Sequence, residues 1–288
     1  MSVSWDDLSD IEIKKEKEIE ENNTNLMLVD GVNLGFKYIQ RANYGSFTDD
    51  YIRTISSLGK SYKAKRIICC FDSGSSNYRK ILLPEYKANR KQERTPEEQD
   101  RFDKFFECLT ATIDELPFEH YKFKGVEADD LIAYLSLNIK DYNHTWIISS
   151  DRDLIQLINE TTSIFSTQTR KEKTLKSILD DTGYSPREYM LSRIIEGDIG
   201  DNIKGVTGIG PKRAAELIKS YKTLKGIIAA LPIKGKSQYI HNLNNSEALL
   251  LKNEKLINLL DYNVDAIAMG ENSELIFNYL QKAINNDS

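Results

Sequence analysis

The chain has 288 residues, 40% hydrophobic and 29% charged, which is enough for one large domain or two modest ones. No apolar stretch approaches the roughly 20 residues of a membrane helix, and Met1–Asn25 lacks the apolar run of a secretory signal, so neither a spanning nor a secreted protein is expected. Three cysteines, Cys69, Cys70 and Cys108, are odd in number and lack C-x-x-C spacing; this argues against a disulfide scaffold or zinc knuckle and for a reducing, cytoplasmic setting.

Taken in order, residues 1–25 form a charged extension. Eight acids stand there against Lys14, Lys15 and Lys17, so the extension carries the whole net charge of −5. The fold is expected to begin with a strand at Leu26–Val29 that ends on Asp30-Gly31. A helix over Asp50–Tyr62 leads to a second strand, Ile67–Phe71, ending on Asp72. A basic connection, Leu83–Lys91, precedes a helix at Glu97–Leu116 and a strand at Phe118–Phe123. A helix at Ala128–Ile139 and a strand at Trp146–Ile148, ending on Ser149-Ser150-Asp151, complete the pattern. Continuous β-rich runs without alternation suit strands buried on both faces, and helices between them imply parallel crossovers.

After about Thr182 the texture turns helical, with segments at Pro186–Ile195, Pro211–Ser220, Leu224–Leu231, Ser246–Leu259 and Glu274–Ile284. The expected fold class is α/β, a mainly parallel sheet flanked by helices with a C-terminal helical region. The expected division is 1–25, then 26–182 with a basic arch at about 78–115, then 183–288.

The acids fall in a telling order. Asp30, Asp72 and Asp151 each close a predicted parallel strand, the edge where open α/β sheets bind ligands. Glu127, Asp129 and Asp130 open a helix, Asp153 follows Asp151, and Asp198 and Asp201 lie three apart. Singly, each reads equally well as a helix cap or turn residue. Together they cannot: two like charges about 4 Å apart repel by about 4 kcal/mol at an effective dielectric near 20. Hard divalent cations, Mg²⁺ with Mn²⁺ as substitute, relieve that repulsion. Scattered histidines (His120, His144, His241) make zinc a poor candidate. Several acids, two or more ions and a basic surface suggest phosphodiester hydrolysis without a covalent intermediate.

Two further segments bear charge. Between Arg53 and Arg94 eleven bases face three acids, an electrostatic footprint for a polyanion. Within it Tyr78 and Tyr86 are expected to stack on bases of a single strand. Gly205–Ala215 places Gly208-Ile209-Gly210 before a helix opening on Pro211, Lys212 and Arg213. With no strand expected before Gly208-Ile209-Gly210 and no third glycine following it, the segment is read as a helix-hairpin-helix grip on duplex backbone rather than a dinucleotide fingerprint.

In order, Asp30-Gly-x-Asn33, Phe71-Asp72, Pro84-Glu85-Tyr86-Lys87-x-Asn89-Arg90, Glu127-Ala-Asp129-Asp130, Ser150-Asp151-x-Asp153, Gly197-Asp198-x-x-Asp201-Asn202 and Gly208-Ile209-Gly210 resemble the structure-specific 5′ nucleases. That family comprises flap endonucleases, 5′–3′ exonucleases and the nuclease domain of bacterial DNA polymerase I, and the Gly197–Gly210 block is similar to its phage type. The resemblance spans Leu26 to about Ala268. It implies a PIN-like nuclease core with a helical arch. It implies one ion group of Asp30, Asp72, Glu127, Asp129 and Asp130 and a second of Asp151, Asp153, Asp198 and Asp201, with Asp153 and Lys87 catalytic. Lys87 matches an arch lysine that approaches the scissile phosphate, Tyr86 its aromatic neighbour, and Arg90 a further arch contact. Lys212 and Arg213 match contacts to the duplex, beside Gly208 and Gly210, whose hairpin carbonyls hold K⁺ in some members. Lys37 stands where arginine is common and Arg193 where lysine is common; the first exchanges a fork for a point charge.

The implied substrate is branched DNA with a 5′ single strand (a flap, nick or pseudo-Y), cut near the junction to leave 5′-phosphate and 3′-hydroxyl ends. RNA paired to DNA is a further implied substrate, because backbone contacts do not read base edges. The implied protein is a monomer without a membrane partner, acting in replication or repair in the cytoplasm, that of a bacterial host if phage-encoded. Two rivals stay open on the residues alone: a metal phosphatase of small molecules and a non-catalytic binder of branched DNA.

Overall fold

In a computed structural model the described residues are 23–40, 44–90 and 95–285. The strands are β1 (Asn25–Asp30), β2 (Ala64–Phe71), β3 (Glu119–Lys122), β4 (Thr145–Ile148), β5 (Thr162–Ser166) and β6 (Lys171–Lys173), with a small pair, β7 (Gly197–Asp198) and β8 (Ile203–Lys204). The helices are α1 (Gly31–Gly35), α2 (Phe47–Ser61), α3 (Asn77–Leu82), α4 (Pro96–Asp114), α5 (Ala128–Asn138), α6 (Leu175–Thr182) and α7 (Pro186–Glu196). Then follow α8 (Pro211–Tyr221), α9 (Leu224–Ala229), α10 (Gln238–Asn244), α11 (Glu247–Ile257), α12 (Leu259–Ala268) and α13 (Ser273–Asn285).

The main sheet runs β3-β2-β1-β4-β5-β6, parallel except for the β5–β6 pair. From β1 the chain winds outward to β3, then crosses back to lay β4 on the other side of β1. The strand order therefore reverses between β1 and β4, the crevice where such sheets bind ligands. Both faces of the sheet are covered, which explains the unbroken apolar runs. Leu26 and Leu28 join a core with α5, α12 and α13, whereas Met27 and Val29 join one with α2 and α4. A third core, built from α7 through α11, includes Tyr86 from the arch segment. The last two helices thus pack on the sheet and not with the helical region that precedes them.

Local chemistry sets most boundaries. Thr95, Pro96 and Glu98 make a capping box that starts α4, and Ser185, Pro186 and Glu188 do the same for α7. The helix expected from Asp50 begins three residues earlier, at Phe47, whose fully buried ring anchors the first turn. β5 and β6 escaped the pattern: Thr162-Ser163-Ile164-Phe165-Ser166 is half polar, and Lys171-Glu172-Lys173 is a charged edge that discourages further pairing. No helix among the described residues is long and apolar enough to cross a membrane. The charged extension lies outside the described residues up to position 22.

Candidate metal centre and nucleic-acid interface

Asp30 ends β1 at the crevice and caps α1, accepting from Asn33 N at 3.1 Å and Ser149 Oγ at 2.8 Å. Asn33 Oδ1 in turn accepts from Ser150 N at 2.9 Å, which ties the β1 and β4 ends together. Asp72, just past β2, accepts from Ala128 N at 2.8 Å and so caps α5. Asp151 follows β4 and accepts from Asp153 N at 2.8 Å.

The second cluster comes from three short elements. Asp153 opens a 3₁₀ turn, Asp198 closes β7, and Asp201 lies on the loop to β8. One carboxylate oxygen from each falls within 4.8 Å of the others. Two glycines make that tight hairpin feasible. A Cβ on Gly205 would lie 2.0 Å from Glu196 O, and Gly197 adopts φ 79°. Arg193, on α7, reaches Asp153 at 3.5 Å and also bonds Asp198.

Glu127, Asp129 and Asp130 sit at the head of α5, and the structure separates their roles. Asp130 is fully buried, and both its oxygens accept from the Arg79 guanidinium at 2.7 and 2.8 Å. Asp130 therefore faces a fixed internal cation, in contrast to the ligand role implied for it. Arg79 also donates to Glu127 at 3.2 Å and to Leu256 O at 3.0 Å, which pins the sheet edge to α11. Glu127 takes a further bond from Lys87 Nζ at 2.7 Å and one from Tyr86 Oη at 3.0 Å.

The arch base differs from the sequence expectation. Tyr78 and Tyr86 are only 8% and 4% exposed, so neither ring face is open to a base. Tyr78 lies on α3, and Tyr86 Oη bridges Glu127 and Asp201, the latter at 3.1 Å. Residues 85–89 are clamped to the Asp198–Asn202 loop. Lys87 N donates to Asp201 O, Asn202 Nδ2 to Glu85 O and Asn89 Nδ2 to Ile199 O, at 3.1, 3.0 and 2.6 Å. Lys87 holds φ 56°, a left-handed backbone that costs a non-glycine residue energy and that aims its ammonium at Glu127. Residues 91–94 and the Arg90 side chain, an expected DNA contact, lie outside what is described.

The electrostatics follow from this crowding. Burial, with Asp72 adding repulsion, pushes the Asp30 carboxyl up to about 7. Burial and Asp151 push Asp153 up to about 7 as well, against the pull of Arg193. Asp129 rises through burial and then through Asp151, Asp30 and Asp72, so one web of repulsion joins both groups. Burial works to raise Glu127 too, but Lys87 and Arg79 outweigh it and hold its carboxyl below the usual range. A pocket of oxygen-only donors at this charge density fits hard divalent ions, which would return these acids to their charged form.

Away from the acids, Val206–Gly210 makes the expected turn, with Gly208 at φ 85° and the buried Val206 and Ile209 holding it down. Contrary to expectation a strand, the two-residue β8, does precede it. Gly210 caps α8 without a side-chain bond, and Lys212 is exposed beside it. Arg213 lies 4.1 Å over the Tyr239 ring and bonds Gly208 O, so its guanidinium is engaged within the hairpin itself. Lys37 is exposed on the turn after α1, with its ammonium 5.4 Å from the Tyr38 ring centre. The residue that sequence reasoning missed is Arg79, counted there only as surface charge. Local sequence held no clear signal for it, since its neighbours Lys80 and Ile81 are both exposed and its carboxylate partners lie about fifty residues away.

Comparison with known proteins bears on this geometry. The family model "5'-3' exonuclease, N-terminal resolvase-like domain" matches residues 25–183, and "5'-3' exonuclease, C-terminal SAM fold" matches residues 184–271. The chain is 41% identical over 275 residues to a flap endonuclease of Escherichia phage T5, covering 93% of each. It is 29% identical over 236 residues to a 5'-3' exonuclease of Bacillus subtilis (strain 168), covering 75% of this chain and 77% of that one. A crystal structure of the bacteriophage T5 flap endonuclease, in a pseudo-enzyme-product complex with DNA and metal ions, superposes with a TM-score of 0.87 at 39% identity, covering 91% of this chain and 98% of that chain. A T5 5'-exonuclease with bound divalent zinc superposes with a TM-score of 0.85 at 40% identity and the same coverage.

Proposed function

The chain belongs to the 5′–3′ exonuclease family, and from that premise we propose that it is a divalent-metal-dependent, structure-specific 5′ nuclease that cuts branched DNA near the single-strand/duplex junction. The observation that carries the reading is the meeting of Asp153, Asp198 and Asp201 within 4.8 Å at the sheet edge, beside the web that joins Asp30, Asp72, Asp129 and Asp151 and, through Asp72, Glu127. When bound, Mg²⁺ or Mn²⁺ supplies Lewis-acid charge for the attacking water and the leaving 3′-oxygen.

The residues divide the remaining work. Asp30, Asp72, Glu127 and Asp129 hold one ion, and Asp151, Asp153, Asp198 and Asp201 the other. Asp130 acts through Arg79, fixing Glu127 in place. Lys87 swings from Glu127 to the scissile phosphate, leaving that carboxylate to an ion. Tyr86 keeps the arch base seated between the two groups. Lys37, Arg90 and Arg193 neutralise phosphates of the cut strand. Gly208, Gly210, Lys212 and the uncapped start of α8 take the duplex backbone, a contact for which Arg213 turns outward. Should the hairpin carbonyls hold K⁺, Gly208 O must first be released by Arg213 in the same movement. Backbone-only contacts extend the substrate range to RNA paired with DNA. The protein acts as a monomer in the cytoplasm.

The test is incubation of end-labelled 5′-flap, nicked and single-stranded DNA with Mg²⁺, with product sizes read on a gel. Chelator-sensitive products that end at the junction are expected. Turnover of a mononucleotide but not of flap DNA would favour a small-molecule phosphatase, and binding without scission a structural DNA binder.

A further inference from the structure

From the β2 side of the crevice, Lys87 meets the first acid group. On the far side, beyond β4, stands the β5–β6 hairpin, which the roles above leave unused. β5 runs parallel to β4, so its last residue, Ser166, lies at the same edge as Asp151. The turn that follows is tied there. Ser150 Oγ and Ser166 Oγ lie 2.9 Å apart, and Gln168 N donates to Ser150 Oγ at 3.4 Å.

The charge of this hairpin is one-sided. Lys173 pairs with Ile164 across the β5–β6 ladder and so shares its sheet face, the one on which the 3₁₀ turn of Asp153 packs. Glu172 points to the other face, where Tyr62 Oη donates to it at 3.1 Å. Arg152 is exposed between Asp151 and Asp153 in the chain, and Lys173 is half-buried near it. Neither cation forms an ion pair among the described residues. Burial and then Arg152 hold the Lys173 ammonium below its ordinary range, while Asp151 pulls the other way. Two neighbouring cations, one half-buried, combine desolvation with repulsion. An ion that takes up the charge of Asp151 removes the acid that answers them, and a further anion is then needed.

A phosphodiester supplies that anion. We propose that Arg152 and Lys173 bind a backbone phosphate of the cut strand on the flank opposite the arch, so that this strand is held from both sides of the crevice. The proposal rests on the nuclease reading above and deepens it. Held at two points, the scissile phosphate is registered over the acids by backbone geometry and not by base sequence.

The test replaces each linkage flanking the scissile bond, in either strand of a 5′ flap, by a neutral methylphosphonate. Binding is measured by anisotropy in Ca²⁺ over a range of salt, and cleavage in Mg²⁺, for the wild type, Arg152→Gln, Lys173→Met and Lys173→Arg. One linkage of the cut strand should raise the wild-type Kd about tenfold when neutralised. Arg152→Gln and Lys173→Met should each weaken binding of ordinary DNA severalfold, lower the salt slope by about 1, and lose little more on DNA neutralised at that linkage. Lys173→Arg should stay within about twofold of wild type. Losses of equal size on ordinary and neutralised DNA, the mark of a merely structural role, would overturn the proposal. So would an unchanged Kd and salt slope in both charge-removing variants, or a sensitive linkage in the uncut strand alone. Arg152 is exposed, so its variant carries the test should Lys173→Met unfold. Junction cleavage without any linkage effect defeats the contact alone. A linkage effect in binding without cleavage defeats the nuclease reading and leaves the contact standing.

Discussion

The two acid groups at the sheet edge are built in opposite ways. The group around Glu127 brings its own cations: Arg79 is buried against Asp130 and Glu127, and Lys87 closes on Glu127 from the arch base. The group of Asp153, Asp198 and Asp201 rests on a 3₁₀ turn and a two-residue hairpin, and Arg193, a quarter exposed, is its partner there. Two internal cations therefore serve the first group, whereas the second, with Asp201 buried and Asp153 and Asp198 partly exposed, has only Arg193 among the described residues. Tyr86 hydrogen-bonds to both, so ion occupancy and the seating of the arch are linked through one phenol.

The sharpest way to break this contrast is Asp153→Lys, which inserts an ammonium into the three-oxygen cluster. Flap cleavage should fall to the level seen with chelator while flap binding stays within about threefold of wild type. Substantial cleavage by that variant would make the second group dispensable. Next in size is Lys87→Met. Loss of an aimed charge at the reacting phosphate should lower kcat by about 10²- to 10³-fold. With Glu127 left to Arg79 alone, Ca²⁺ measured by calorimetry should bind severalfold more tightly, and unchanged affinity would show that Lys87 does not compete for that carboxylate.

Arg79→Met tests the packed side of the comparison. Removing one partner of a buried ion pair costs about 3–5 kcal/mol because the other charge is stranded. Urea unfolding should show a loss of that size; a loss below about 1 kcal/mol would assign the rigidity of the first group elsewhere. The smallest effect is on pH. Asp30 and Asp153 have folded-state values of about 7, above the ordinary carboxylate value of about 4 in the unfolded chain. Between those values the folded state binds more protons, so chelated protein should lose stability as pH rises from about 4 to about 7. Melting temperatures should show that decline and its flattening in Mg²⁺.

The sequence was most readable where one physical rule acted alone. The β1, β2 and β4 runs announced a parallel sheet because both faces are buried, and the acids at their ends marked the crevice edge because strand order reverses there. The helices at Pro96 and Pro186 start within one residue of expectation, where Thr95 with Glu98 and Ser185 with Glu188 close capping boxes. Where two roles competed, the sequence misled. Tyr78 and Tyr86 suited base stacking by residue type, but burial claimed them first, Tyr86 in the helical core and against Glu127 and Asp201. Asp130 looked like its neighbours until a distant arginine took both its oxygens, a long-range pairing that no local pattern records. β6 is invisible by hydropathy because an exposed edge strand is selected for charge rather than burial.

The central claim is that acids far apart in the chain hold hard cations together. Mn²⁺ titration followed by electron paramagnetic resonance tests it most directly, on the wild type, Glu127→Gln and Asp201→Ala. The account predicts at least two saturable ions in the wild type and the loss of one in each variant. Equal binding by all three proteins, or no saturable binding by the wild type, would contradict it.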